Sequence, residues 1–282
     1  MKNQKKFIFL IFLIISFLSI IFPRKAYSQE NDFEKLYQEY LTTFDEYRKT
    51  HSDYSFKKAQ YLRFKTLKSQ EEAFNATLTM LQKRDDLVIA FSKVLKEKLK
   101  ISSEVGVPKN EPLNARIDQE VGWFNEHKEK LTSAASLENL VKDSNEAKLR
   151  FAKIQVLSYD LLATISEAKI IVLNKRTREI LDRVKNKFEE IKSQDNVEDK
   201  FSTYKLQIID RWIFESENRL IRGEEKLINA QSLIATFASK QTGDNALSLY
   251  NQSQTVLGES QLFFKEAISS LKEVIREIKI AE

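Results

Sequence analysis

Apolar residues recur every three or four positions along most of the chain, and over 137–191 they do so twice. One row reads Leu137, Leu140, Ser144, Ala147, Phe151, Ile154, Ser158, Leu161, Ile165, Ala168, Val172. The other reads Leu149, Ala152, Val156, Tyr159, Ala163, Ser166, Ile170, Leu173, Thr177, Ile180, Val184, Lys187, Ile191. A mean step near 3.5 residues holds each row on one side of a helix. At about 100° per residue the two rows fall on roughly opposite sides. The spacing predicts a single long helix, capped by Ser136, with a different partner on each side and burial all round where the rows overlap, from Leu149 to Val172.

Before this helix, Asn31 and Glu34 read as a capping box opening a helix whose inner stripe is almost entirely aromatic: Phe33, Tyr37, Tyr40, Phe44, Tyr47, His51, Tyr54 and Tyr61. A stripe at this spacing predicts rings turned inward. Ser69 and Glu72 read as a second capping box, ahead of a stripe through Phe74, Leu78, Leu81, Val88, Leu95 and Leu99 that ends near Ile101. Asp85 falls on that stripe beside Arg84 and Asp86, as an ion pair at the bundle margin would. Gly106, Pro108 and Pro112 mark a loop over 102–114. Asn114 then caps a short helix with Ile117, Val121, Phe124 and Leu131 inside, and Trp123 and His127, four apart on a neighbouring face, are placed to stack.

After Ile191 the run Ser193-Gln194-Asp195-Asn196 turns the chain, and two stripes of ten layers follow: Leu206, Ile209, Ile213, Ser216, Leu220, Gly223, Leu227, Ala230, Ile234, Phe237, then Leu247, Tyr250, Gln254, Leu257, Gln261, Phe264, Ile268, Leu271, Ile275, Ile278. Folded about Gly243-Asp244, Leu220 meets Phe264 and Leu206 meets Ile278, with small Ser216, Gly223 and Ala230 opposite Ile268, Gln261 and Gln254. Folding the long helix about Asp195 sets Val184 beside Leu206 and Ile170 beside Leu220. The fold expected is all-α, an elongated antiparallel helical bundle or coiled coil. In it a C-terminal up-down-up three-helix bundle shares the long central helix with an N-terminal helical bundle. The divisions are an N-terminal helical region 29–136 containing the proline loop 102–114, the shared helix 137–194 and a C-terminal helical hairpin 195–282.

Residues 1–28 stand apart. Lys2, Lys5 and Lys6 precede an apolar stretch over 7–22, and Ala26-Tyr27-Ser28 supplies small residues for cleavage after Ser28, the form of a signal peptide. An uncleaved anchor through residues 7–22 is the competing reading and the only one that involves a membrane. The chain's formal charge of +5 resides here: the segment holds five of the 46 basic residues and none of the 41 acidic ones, so the remainder is balanced. The basic balance is therefore no argument for a nucleic-acid partner. With no cysteine, an exported chain has no disulfides and relies on packing.

Composition narrows the chemistry. His51 and His127 are the only histidines, so Cys/His zinc sites and three-histidine zinc sites are excluded, and neither histidine has the Glu-x-x-His spacing of di-iron bundles. Five glycines are too scattered for a phosphate loop, a dinucleotide fingerprint or a nucleophile elbow. No catalytic, cofactor-binding or metal-binding residue is assigned. The expectation is an exported non-catalytic scaffold, spacer or protein-interaction module of the cell envelope, extracellular, at the cell surface or periplasmic, with a protein partner. The alternative is a sensing bundle that holds a small molecule between helices near the inward-facing Gln254 and Gln261. A carboxylate-only hydrolase is the weakest of the three readings.

Overall fold

The computed structural model describes residues 29–103, 110–193, 201–239 and 242–281. Residues 1–28, read above as a signal peptide, the expected loop residues Gly106 and Pro108 and the expected turn at Asp195 lie outside them. Among the described residues the chain is helical and has no strand, with six α-helices: α1 Gln29–Phe64, α2 Leu67–Ser103, α3 Asn110–Leu131, α4 Leu137–Lys192, α5 Thr203–Ala235 and α6 Gly243–Ala281, and a 3-10 turn Thr236–Ser239 between the last two. It is an all-α helical bundle. No helix among the described residues is long and apolar enough to cross a membrane.

The centre is α4, unbroken over 56 residues, or about 84 Å at ~1.5 Å per residue. Ser136 sits in extended backbone and its side chain accepts from the Asn139 amide, the cap expected there. Leu140, Ala147, Ile154, Leu161 and Ile165 pack against α2 and α3. Val156, Tyr159, Ala163 and Ile170 pack against α5 and α6. The helix is therefore walled on opposite sides through its middle, as its two rows require.

Two details of the second row differ. Leu149 is 75% exposed and Lys187 is exposed, whereas Leu181 and Phe188 are buried. The row begins at Val156 and continues Thr177, Leu181, Val184, Phe188, Ile191, stepping four where the sequence reading stepped three. Its register with α5 also differs from a turn centred on Asp195. Arg178 pairs with Glu224, Lys185 with Glu217 and Lys192 with Asp210, a ladder with seven-residue steps on both helices. Val184 therefore lies near the level of Glu217, well past Leu206. The reason is the length of the connection: α4 ends at Lys192 and α5 starts only at Thr203, after Ser202, whose side chain accepts from the Lys205 amide.

The α5–α6 hairpin has the expected register. Ser216 Oγ donates to the Ala267 carbonyl at 3.1 Å, Ser260 Oγ donates to the Gly223 carbonyl at 2.7 Å, and Lys226 meets Glu259 at 2.6 Å. These serine bridges satisfy buried hydroxyls on the facing backbone, and that requires close approach at small residues. The α6 stripe is rotated from the expected one: Ser253 and Ser260 are fully buried, while Gln261 is exposed and Ile275 largely so.

At the other end α1 lies along α2. Phe33 is near Lys98, Tyr40 near Phe91, Glu46 pairs with Lys83 and Lys57 with Glu72. Only Tyr40 of the aromatic stripe is buried; Phe33, Tyr37, Phe44, Tyr47, His51, Tyr54 and Tyr61 are half-buried. One neighbouring helix covers one flank of a ring, so the expected full burial is not reached. The helix also includes Gln29 and Glu30, so Asn31 is not its cap. At the tip Lys65 takes a left-handed conformation, φ 48°, and its amide donates to the Tyr61 carbonyl. Thr66 and Ser69 exchange amide-to-hydroxyl bonds at 3.0 and 3.2 Å. The cap of α2 is thus Thr66, and Glu72 is released to meet Lys57. Likewise α3 starts at Asn110, placing Asn114 and Pro112 within the helix.

Candidate functional site

Polar chemistry in the interior concentrates where α2, α3 and α4 meet. The buried stripe of α3 is Leu113, Ile117, Glu120, Phe124, His127, Leu131, steps of three and four that pass through one carboxylate and one imidazole. His127 is therefore in the core, not on the neighbouring face expected for it. Asp85, on α2, is completely buried opposite it, not at the margin.

His127 Nδ1 lies 2.5 Å from Asp85 Oδ2, and Nε2 lies 3.1 Å from the Asp143 carbonyl oxygen of α4. Each ring nitrogen thus has an oxygen of a neighbouring helix within hydrogen-bond distance. Arg84 Nε reaches the other Asp85 oxygen at 3.4 Å, and its guanidinium donates to Ser144 Oγ at 3.1 Å. Asp143 itself pairs with Lys130 at 3.0 Å. The expected Trp123–His127 stack is present, with ring centroids 4.9 Å apart and planes 13° from parallel. Arg150 stands 5.5 Å from the Trp123 ring and donates to Glu120 at 2.6 Å.

The track ends at the surface. Arg116, Gln119, Glu120, Arg150, Lys153, Val156 and Leu157 line a cavity of about 410 Å³ between α3 and α4. Its Arg116 is engaged by Asp160 at 3.0 Å and its Arg150 by Glu120. Each guanidinium already has a carboxylate of this chain beside it.

What the arrangement does chemically follows from access. A general base needs a free nitrogen within reach of a substrate proton, and both nitrogens of His127 are committed inside the core. The Ser144 hydroxyl accepts from Arg84. No group of three or more His, Asp or Glu that could hold a metal occurs among the described residues. The network ties three helices together in one register, each helix contributing a charged member.

His51, on α1, is half-buried between Tyr47 and Tyr54, its ring 5.8 and 6.0 Å from theirs, and burial lowers its pKa. Gln254 and Gln261 are not brought together. Gln261 is exposed, while Gln254 is half-buried with an Nε2 that has no hydrogen-bond partner. The cavity described above lies between α3 and α4, away from both. In the C-terminal bundle, beside the two serine bridges, Gln231 Nε2 donates to the buried Glu167 at 3.0 Å.

Sequence reasoning missed Glu120, Arg150, Asp143 and Glu167. A signal existed for the first: a stripe begun at Leu113 rather than Ile117 and stepped by four and three runs through both Glu120 and His127. Compared with protein-family models, curated proteins and solved structures, the chain matches none.

Proposed function

We propose that this protein is an exported, non-catalytic helical scaffold of the cell envelope, a spacer that presents its outer helix faces to protein partners. The observation that carries the reading is the way α4 is used. Both of its sides are filled by the chain's own helices, and in the N-terminal bundle Asp85 is engaged with His127 and Glu120 with Arg150. The fold spends its chemistry on holding helices in register over about 84 Å, at ~1.5 Å per residue of α4. An enzyme or sensor instead keeps convergent polar groups open to a ligand.

The outside supports a binding role. Phe214, Ile221 and Ile228 are 63%, 53% and 60% exposed on α5, seven residues apart, the spacing at which one helix lays a row against another. Export is supported by the charged, apolar and small-residue pattern of residues 1–28.

Small-angle scattering of the secreted or purified chain, with its mass taken from light scattering on the same peak, tests the spacer. The expected result is an elongated particle with a maximum dimension near the combined reach of the overlapping bundles. A compact particle would overturn the reading. Fractionation of the producing cell, with the mass of the recovered chain, tests export: loss of residues 1–28 from material outside the cytoplasm is expected, and full-length chain confined to the cytoplasm is the contrary result.

A further inference from the structure

The α1–α2 hairpin continues beyond the last core layer of the N-terminal bundle. That layer contains Met80, Leu81, Leu131 and Leu140, with Tyr54 and Phe74 at its edge. From Phe74 to Leu67, about 10 Å at ~1.5 Å per residue, the two helices extend past the layer as a pair. This tip carries an unusual combination. Phe56, Leu62, Phe64 and Leu67 are 58%, 61%, 57% and 82% exposed, the last being the most exposed large apolar side chain among the described residues. Interleaved with them are Lys57, Lys58, Arg63, Lys65 and Lys68, and residues 54–70 contain no acid at all.

This local charge is set against a chain that is otherwise balanced, so it is a matter of placement rather than composition. Lys57 is drawn to Glu72 at 2.8 Å, and Lys58 to the Tyr54 hydroxyl at 3.0 Å. Arg63, Lys65 and Lys68 surround the turn itself, where Leu62, Phe64 and Leu67 also project. Exposed apolar side chains alone would suit many partners. Apolar side chains ringed by cations, with the nearest acids in sequence at Asp53 and Glu71 and with Glu72 held by Lys57, suit a surface that is oily inside and negative outside. A lipid bilayer with anionic headgroups has that structure: the apolar groups enter the acyl boundary while lysine and arginine remain at the headgroups.

We propose that the tip of the α1–α2 hairpin docks on an anionic lipid surface, with Leu62, Phe64 and Leu67 inserted and Arg63, Lys65 and Lys68 at the headgroups. The assignment rests on the tip's own residues and stands apart from the scaffold reading. It places the rest of the molecule away from the bilayer, because the tip is one end of helices that run back into the bundle.

The absence of cysteine makes the test direct. Full-length chain carrying Leu67→Cys, labelled with an environment-sensitive fluorophore, is mixed with phosphatidylcholine vesicles with and without phosphatidylglycerol. A second labelled chain carries Ile228→Cys on α5 and reports any contact made elsewhere, including contact through residues 7–22. The expected result is a blue shift at position 67 with phosphatidylglycerol only, reversed by high salt, with no shift at position 228. R63Q/K65N/K68Q, checked for native helix content, should need at least ten times more anionic lipid for the same shift. No shift at position 67, equal shifts at both positions, or a shift indifferent to phosphatidylglycerol and to the charge substitutions would overturn the proposal. So would a shift produced by soluble polyglutamate and not by vesicles, which would assign the tip to an acidic protein.

Discussion

A Cβ placed on Gly223 would lie 2.5 Å from Cε1 of Phe264, so the α5–α6 contact exists in its present form only because residue 223 has no side chain. Phe264 is completely buried, and three atoms of its ring lie within 3.1 Å of that position. Overpacking costs about 1–3 kcal/mol, and alanine recovers about 1 kcal/mol of helix propensity, so Gly223→Ala should destabilise by up to about 2 kcal/mol. Gly258, on the same hairpin, has nothing within 4 Å of the corresponding position. Gly258→Ala should therefore stabilise by about 0.5–1 kcal/mol. Urea midpoints moving in opposite directions confirm the contact; a stabilised Gly223→Ala refutes it.

The Asp85–His127 pair gives the second prediction. Removing one member of a buried hydrogen-bonded pair leaves a polar atom of the other without that partner, which costs about 1–3 kcal/mol. Asp85→Leu and His127→Leu should each lose about that much, Asp85 keeping Arg84 beside it in the second. The double variant should lose clearly less than either one, because the replacement pair is apolar on both sides. Additive losses in the double-mutant cycle would mean that the two residues are not coupled.

Rows on α4 are distinguished by a contrast of Leu149 and Phe188. Phe188 is fully buried, and Phe188→Ala should cost about 3–5 kcal/mol. Leu149 is mostly exposed, and Leu149→Ala should stay within about 0.5 kcal/mol. Thermal or urea unfolding that ranked the two in the reverse order would restore the row that begins at Leu149.

Alkaline pH should loosen the C-terminal bundle. Burial raises the Tyr159 hydroxyl from its ordinary value of 10.0 to about 12, assisted by Asp244 and Tyr250, and burial raises Tyr250 as well. The neutral phenol is the form the fold favours. Its contribution is complete below pH 10, where the unfolded chain is also protonated, and is lost as pH rises from 10 toward 12 because the unfolded state then binds fewer protons. Tyr159→Phe should make the fall in urea midpoint over that window shallower. An unchanged slope would show that Tyr159 ionises alike in both states.

How much of this was legible in the sequence depended on how local the deciding contact is. The Ser136 cap, the two-sided α4, the α5–α6 register and the Trp123–His127 stack rest on spacings within a helix or across a hairpin, and such spacings are written in the chain. The Asp85–His127 pair joins residues 42 apart on different helices, and reading His127 one face off concealed it. The aromatic stripe of α1 announced a buried face, but its depth of burial depends on how many helices gather round it, and only α2 does so along its length. The register of α4 on α5 hinged on a connection whose length polar residues do not reveal. Glu120 was hidden by stepping four from Ile117 to Val121 where the buried stripe steps three.

Because residues 154–170 of α4 belong to both bundles at once, the two halves of the protein are joined without a hinge. Bundles strung on a flexible linker bend and swivel independently; here neither half can rotate about the long axis without unwinding the helix they hold in common. A torque applied at the α1–α2 hairpin is therefore delivered to α5 and α6 as rotation of the whole shaft. The shared helix fixes orientation as well as distance, so the outer row of α5 keeps a constant azimuth relative to the α1–α2 hairpin.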